Sequence, residues 1–232
     1  MAAPIPGLGK VRAQIAATAR RWNRDPAKVE LLAISKTRSV EEILTLVRCG
    51  QRQFGENYLR EAVAKITALS DQHLCWHFVG PIQSNKTRDI STYFDWVHTL
   101  ERSKIAQRLN DQRGEHKQPL QVLIQVNIDA EPTKSGVAPE RAYDLARKIS
   151  SLPNLRLRGL MALPAPRTDF DEQRRPFAKM RELLDALRSR GLPLEHLSMG
   201  TSDDYQAAIA EGATILRIGT ALFGPRPPVS RR

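Results

Sequence analysis

Val29-Glu30-Leu31-Leu32-Ala33-Ile34-Ser35-Lys36-Thr37-Arg38 is an apolar run that ends in polar residues, and a helical pattern begins directly after it at Ser39. A short buried run closed by polar residues and followed by a helix is the pattern of one strand–helix unit in a parallel sheet. The unit recurs along the chain. Strands are expected at 29–35, 53–55, 76–79, 96–99, 121–127, 157–162, 197–199 and 215–218. Helices are expected between them at 40–48, from 58 to about 69, from near 84, at 103–112, at 139–150, from about 174 to 190, and at 204–211. Gly50 and Gly191 stand at helix ends, where glycine accepts the left-handed backbone. A leading helix over 9–22 places Val11, Ile15 and Ala19 on one face. Alternation of this kind, eight times over, indicates an α/β fold of the (β/α)8 TIM-barrel type. A doubly wound open sheet is the competing architecture. It calls for a glycine fingerprint after an early strand, and none is present.

A barrel places its chemistry just after the strands, at the C-terminal mouth. Polar and glycine residues collect at those positions here. Lys36 follows the first strand and Glu56-Asn57 the second. Pro81 and Gln83-Ser84-Asn85-Lys86 follow the third. Asn127 and then Lys134-Ser135-Gly136 follow the fifth, and Met161 lies near the end of the sixth. Ser198-Met199-Gly200-Thr201-Ser202-Asp203-Asp204 follows the seventh, and Arg217-Ile218-Gly219-Thr220 closes the eighth.

Lys36 is the most informative of these. An amine held at a strand end, partly shielded from water, is disfavoured as the ammonium and becomes a nucleophile able to form a Schiff base. The last two loops suit an anion. Ser202 supplies a hydroxyl and is an expected N-cap for the helix starting at Asp203-Asp204. Gly219 permits close backbone approach, and Thr220 offers an N–H and a hydroxyl. An ordinary helix cap with a tight turn accounts for the same residues. Together with a strand-end lysine, a phosphate anchor matches the binding logic of pyridoxal 5′-phosphate, PLP.

The chain has 232 residues and a mass of 26.1 kDa, which suits one barrel. A single domain is expected over 1–226, with a flexible basic tail at 227–232. The 41% hydrophobic fraction supports a sizeable core. Cys49 and Cys75 have neither metal spacing nor a disulfide framework and read as reduced thiols. No signal-peptide stretch and no membrane-length apolar segment is visible, so a cytoplasmic location is expected. The formal charge of +11 raises nucleic acid or an anionic membrane as partners. The basic residues are dispersed and interleaved with Asp and Glu, as on arginine-rich helix exteriors, so neither partner is expected. Salt-sensitive RNA binding independent of Lys36 is what a basic RNA-binding barrel would display.

Several stretches identify a family. Ala33-Ile34-Ser35-Lys36-Thr37, Phe54-Gly55-Glu56-Asn57-Tyr58 and Gly80-Pro81-Ile82-Gln83-Ser84-Asn85-Lys86 are three of them. Gln125-Val126-Asn127-Ile128, Lys134-Ser135-Gly136 and Arg158-Gly159-Leu160-Met161 continue the series, and Ser198-Met199-Gly200 with Ser202-Asp203-Asp204 and Arg217-Ile218-Gly219-Thr220 complete it. Over nearly its full length the chain resembles the pyridoxal phosphate homeostasis protein family. The resemblance implies the barrel of fold-type III PLP proteins, similar to the N-terminal domain of alanine racemases. It implies that Lys36 holds PLP as a Schiff base and that Ser202, Gly219 and Thr220 bind its phosphate, with Ser198 and Gly200 nearby. Arg217 would face the pyridine nitrogen, and Asn57 would line the ring side. Thr201 departs from the pattern, standing where methionine is common.

A cationic donor at the ring nitrogen disfavours its protonation and makes PLP a poorer electron sink. A salt bridge at the barrel rim is the alternative for Arg217, disfavoured by its place just before Gly219-Thr220. Racemases similar to this fold draw a tyrosine base from an additional domain and a partner subunit, and no such domain is expected here beyond the barrel. The expectation is a PLP carrier or regulator in vitamin B6 homeostasis with weak or no amino-acid turnover, as a monomer or weak dimer. Apo-enzymes that use PLP are the protein partners such a carrier would serve. A PLP-dependent racemase or lyase is the alternative. His77, His98 and His196 read as structural, and Lys86 and Lys134 as surface lysines in preference to a second imine-forming amine.

Overall fold

The computed structural model describes residues 6–114, 117–131 and 134–225. Eight strands pair in sequence order and close into a barrel. They are β1 (Glu30–Ile34), β2 (Gln53–Glu56), β3 (Cys75–Phe78), β4 (Trp96–Leu100), β5 (Leu120–Gln125), β6 (Leu155–Met161), β7 (His196–Ser198) and β8 (Ile215–Ile218). Every pairing is parallel, and β1 closes the ring against β8 with Glu30 opposite Ile215 and Ala33 opposite Ile218. The helices are α1 (Pro6–Arg21), α2 (Val40–Arg48), α3 (Leu59–Ala68), α4 (Thr87–Tyr93), α5 (Ser103–Arg113), α6 (Ala142–Ser150), α7 (Phe170–Ser189), α8 (Tyr205–Ala210) and α9 (Thr220–Phe223). None of them is long and apolar enough to cross a membrane. The tail expected from 227 onward lies outside the described residues.

Successive strand residues point to opposite faces of the sheet, and the core divides accordingly. Leu31, Ala33, Phe54, Trp76, Phe78, Val97, Leu197 and Leu216 belong to the large cluster between barrel and helices, which Val11, Ile15 and Ala19 of α1 also join. Leu32, Leu123, Met161 and Ile215 form a second, smaller cluster inside the barrel, with Ile34, Val79 and Trp96 packed on it. The inner face is therefore only partly aliphatic. Buried polar residues, among them His77, His98, Ser198 and Arg217, alternate with the outward apolar set.

Local sequence explains the element ends. Ser39 caps α2 in a reciprocal capping box with Glu42. Gly50 follows with φ of 81°. Helix α7 starts at Phe170, not near 174, because Asp169 accepts the Glu172 N–H and the helix continues through Pro176. Proline suits a first turn, so Pro176 disguises the true start. Strand β5 stops at Gln125, two residues short of the expected end, and Val126 makes only a single bridge, to Val137. The expected helices near 84 and at 139 begin as single 3-10 turns, Ser84–Lys86 and Pro139–Arg141.

The β5–β6 register shifts between Val122 and Leu123, so that Leu157 and Gly159 face consecutive residues of β5. Gly159 then lies so close to β7 that an added Cβ would sit 1.9 Å from the His196 carbonyl oxygen. Gly159→Ala should therefore force β6 and β7 apart and cost about 3 kcal/mol. Urea unfolding followed by circular dichroism measures this, and the same substitution at the open Gly9 serves as the control.

Candidate functional site

One cavity of about 280 Å³ opens at the C-terminal mouth, and Lys36, Asn57, Ser202, Arg217, Gly219 and Thr220 all line it. Its apolar wall comes from Ile34, Val79, Met161 and Leu163. Six of the eight residues expected from sequence thus meet in one place. The other two, Ser198 and Gly200, do not line it.

Lys36 occupies the turn between β1 and α2 and is half-buried. That turn is bonded on all sides. The Ser35 N–H donates to the Gly55 carbonyl at 3.0 Å, and the Arg38 N–H closes back on the Ser35 carbonyl at 3.1 Å. Thr37 has φ of 64°, unusual for a β-branched residue. Its N–H donates to Glu61 Oε1 at 2.6 Å, which holds that conformation.

Behind the turn lies a buried ion pair. Glu56, the last residue of β2, is fully buried, and Lys65 of α3 reaches it at 2.8 Å. Lys65 also donates to the Ser35 carbonyl at 2.7 Å and pairs with Glu61. The Ser35 hydroxyl donates to Glu56 Oε1 at 2.7 Å, while Glu56 Oε2 is buried with no hydrogen-bond partner. Burial raises the Glu56 pKa, against the opposing pull of Lys65 and Ser35. The sequence places Glu56 just after the second strand, outside the expected span 53–55. It is instead the buried end of a strand and braces the turn that carries Lys36.

Arg38 ties the same turn to the other side of the cavity. It is buried, and its guanidinium donates to the carbonyls of Phe223 at 3.3 Å and Gly224 at 2.5 Å while lying 5.3 Å from the Phe223 ring centre. The C-terminal end of α9 is thereby tied to the turn that carries Lys36.

The β7–α8 loop differs from the expectation. Ser202 does not cap α8; Asp204 stands at the cap position. Asp204 turns its carboxylate back to accept from the Thr201 N–H at 2.6 Å and hydroxyl at 2.9 Å. This bonding leaves the Ser202 hydroxyl to face α9, where it accepts from the Ala221 N–H at 3.5 Å. Gly200 has φ of 94°, and an added Cβ would lie 2.6 Å from Ala208 Cβ, so its role is a tight turn against α8. Gly219 is the opposite case. A Cβ there would meet the protein no closer than 3.4 Å, so the fold itself does not require glycine at 219. Its bareness keeps the start of α9, where the Ala221 N–H makes its 3.5 Å contact with Ser202, open to the cavity.

Arg217 forms part of the cavity floor. It donates to the Ser198 carbonyl at 2.7 Å, the Ser198 hydroxyl at 2.8 Å and the Ala162 carbonyl at 2.9 Å. Burial lowers its pKa to about 10, with the Asp204 charge opposing, so it remains a cation at neutral pH. A salt bridge at the rim does not describe it: its partners are neutral oxygens. Lys86 is exposed on the 3-10 turn after β3. Lys134 pairs with Glu131 at 2.6 Å and lines other cavities on the rim. Neither lines the cavity that holds Lys36.

The fold and this mouth define a class. Residues 8–227 match the family model described as alanine racemase, N-terminal domain. An alanine racemase from Corynebacterium glutamicum, 15% identical, superposes with a TM-score of 0.67 over 96% of this chain and 63% of its own, a likeness of fold alone. The chain belongs to the pyridoxal phosphate homeostasis protein family: the protein of that name from Pseudomonas aeruginosa is 53% identical over 94% of both chains. PipY of Synechococcus elongatus, solved with PLP bound, is 34% identical with a TM-score of 0.80, covering 92% of this chain and all of PipY.

Removing the Lys65 cation would strand the Glu56 carboxylate in the interior. Lys65→Met should destabilise the protein by about 3–5 kcal/mol at neutral pH. The loss should shrink with acid. A carboxyl with a raised folded pKa costs nothing below its unfolded pKa, and the cost grows as pH rises toward the folded value. Urea midpoints of wild type and variant at pH 5 and pH 8 test this, the gap being wider at pH 8.

Proposed function

We propose that the cavity holds PLP and that the protein stores and releases this cofactor in the cytoplasm rather than using it for turnover. The observation that carries the reading is the meeting of three groups on one small cavity: the Lys36 amine, the Ser202–Gly219–Thr220 anion cradle and the Arg217 cation. The chemistry of this set fits PLP group by group. When bound, PLP supplies an aldehyde that condenses with the Lys36 amine, releasing one water and leaving a Schiff base, and a ring that withdraws electrons.

The protein's own residues then divide the work. The Ser202 hydroxyl, the Thr220 hydroxyl and the N–H groups beginning α9 hold the phosphate, and the bare Gly219 gives it room. Arg217 presents a fixed positive donor to the ring nitrogen and keeps that nitrogen from taking a proton. Asn57 bounds the ring on the β2 side, and Ile34, Val79 and Met161 shield it from water. An unprotonated ring stabilises a carbanion poorly, which favours carrying over racemisation. The family name borne by the P. aeruginosa relative and the PLP in PipY support the same reading. Apo-enzymes that use PLP are the proposed recipients, with the carrier acting as a monomer or weak dimer over a single domain.

Adding PLP to the purified protein should give a visible absorption band that borohydride removes, with one pyridoxyl phosphate adduct on the peptide bearing Lys36. Lys36→Ala should give neither, and a wild-type protein that PLP cannot colour would sink the proposal. Incubated with amino acids one at a time, the loaded protein should match free PLP in chiral and mass conversion. Steady turnover above that background would establish the racemase or lyase reading instead.

A further inference from the structure

Inside the barrel, five side chains from five strands form one continuous hydrogen-bonded chain. Arg217 of β8 donates to the Ser198 hydroxyl of β7 at 2.8 Å. That hydroxyl lies 2.9 Å from His98 Nδ1 of β4. His98 Nε2 lies 2.9 Å from His77 Nδ1 of β3. His77 Nε2 lies 2.7 Å from Gln53 Oε1 of β2, with Cys75 Sγ more distant at 3.4 Å. Ser198 and both histidines are almost completely buried, and His77 stacks face to face on Trp96 with 5.4 Å between ring centres.

The direction of every bond follows from one end. The Gln53 Oε1 only accepts. His77 therefore carries its proton on Nε2, donates to Gln53 and accepts at Nδ1. His98 carries its proton on Nε2 and donates there, and its bare Nδ1 accepts the Ser198 proton. Ser198 Oγ in turn accepts from Arg217, which only donates. All four bonds close with both rings neutral. The reverse direction fails at Gln53, whose Oε1 has no proton to give to His77 Nε2. Burial acts in the same sense, lowering the pKa of His77 to about 3 and that of His98 well below its usual value.

We propose that His98 is a positioning residue for Arg217, fixing the Ser198 hydroxyl as a permanent acceptor so that the guanidinium cannot turn away from the cavity floor. Its consequence for PLP rests on the function proposed above, but the relay itself is a property of the cofactor-free protein. Gln at position 98 offers an acceptor and a donor in one plane and so can replace both bonds. Leu offers neither.

Three measurements test this. In ¹⁵N-histidine-labelled protein without PLP, both buried rings should appear neutral, with the proton on Nε2, between pH 5 and pH 8. In the same cofactor-free state, the Arg217 side-chain N–H groups should exchange with solvent about tenfold faster in His98→Leu than in wild type or His98→Gln. PLP titration should give a dissociation constant weaker by about fivefold for His98→Leu and restored in His98→Gln. Ser198→Ala, a smaller change, should match His98→Leu in the exchange measurement and stands in if the leucine variant does not fold. A proton on Nδ1 of either ring, or unchanged Arg217 exchange in the variant that breaks the relay, overturns the proposal. If wild type binds no PLP while the first two results hold, it is the cofactor reading that fails and the positioning role that stands.

Discussion

Closing eight parallel strands into a ring shuts every inward polar group away from bulk solvent, and each must find its partner inside. In many barrels branched aliphatic residues fill that space. Here the aliphatic filling is confined to Leu32, Leu123, Met161, Ile215 and their neighbours. Polar residues occupy much of the rest, and the Arg217–Ser198–His98–His77–Gln53 chain satisfies them. The position of the Arg217 charge under the cavity follows from this constraint. A guanidinium bonded to Ser198 and Ala162 is a fixed feature of the core.

The outer face of the barrel solves the complementary problem for Lys36. The amine sits on a turn that includes a left-handed threonine, a conformation that must be supported from outside. The support is ionic: Lys65 joins Glu56, Glu61 and the Ser35 carbonyl. A buried ion pair is weak evidence for added stability. Its clearer effect here is geometric, because it joins β1, β2 and α3 at the point where the amine must be held. Arg38 extends the same turn to α9, so Lys36 and the α9 side of the cavity share one framework.

Much of this was legible in the sequence, for identifiable reasons. Strand and helix periods are local, and they gave the eight alternations and hence the barrel. Strand ends mark the mouth in any such fold, so Lys36, Asn57, Ser202, Arg217, Gly219 and Thr220 could be assigned to one site before their contacts were known. The errors have equally specific causes. Pro176 disguised the start of α7. Ser202 has the residue type and place of an N-cap, but the Asp204 carboxylate competes for the Thr201 groups at the loop start. Lys65 with Glu61 four residues earlier reads as an ordinary solvent-facing helix pair, and nothing nearby in sequence announces that Glu56 lies buried beside it. His77 and His98 read as structural from sequence and are buried in the core, yet each lies in a different strand and neither points to the other in sequence.

The sequence by itself determined the barrel, the face on which its chemistry lies and the residue types gathered there. These depend on hydrophobic period and on the order of strand and loop, which a linear chain records directly. The tertiary structure alone decided which inward residues meet. That depends on the stagger of eight strands around a closed ring, where Gln53, His77, His98, Ser198 and Arg217 come into line although 164 positions separate the first from the last. No local pattern encodes that stagger, because it is set only when β1 pairs with β8 and the ring closes.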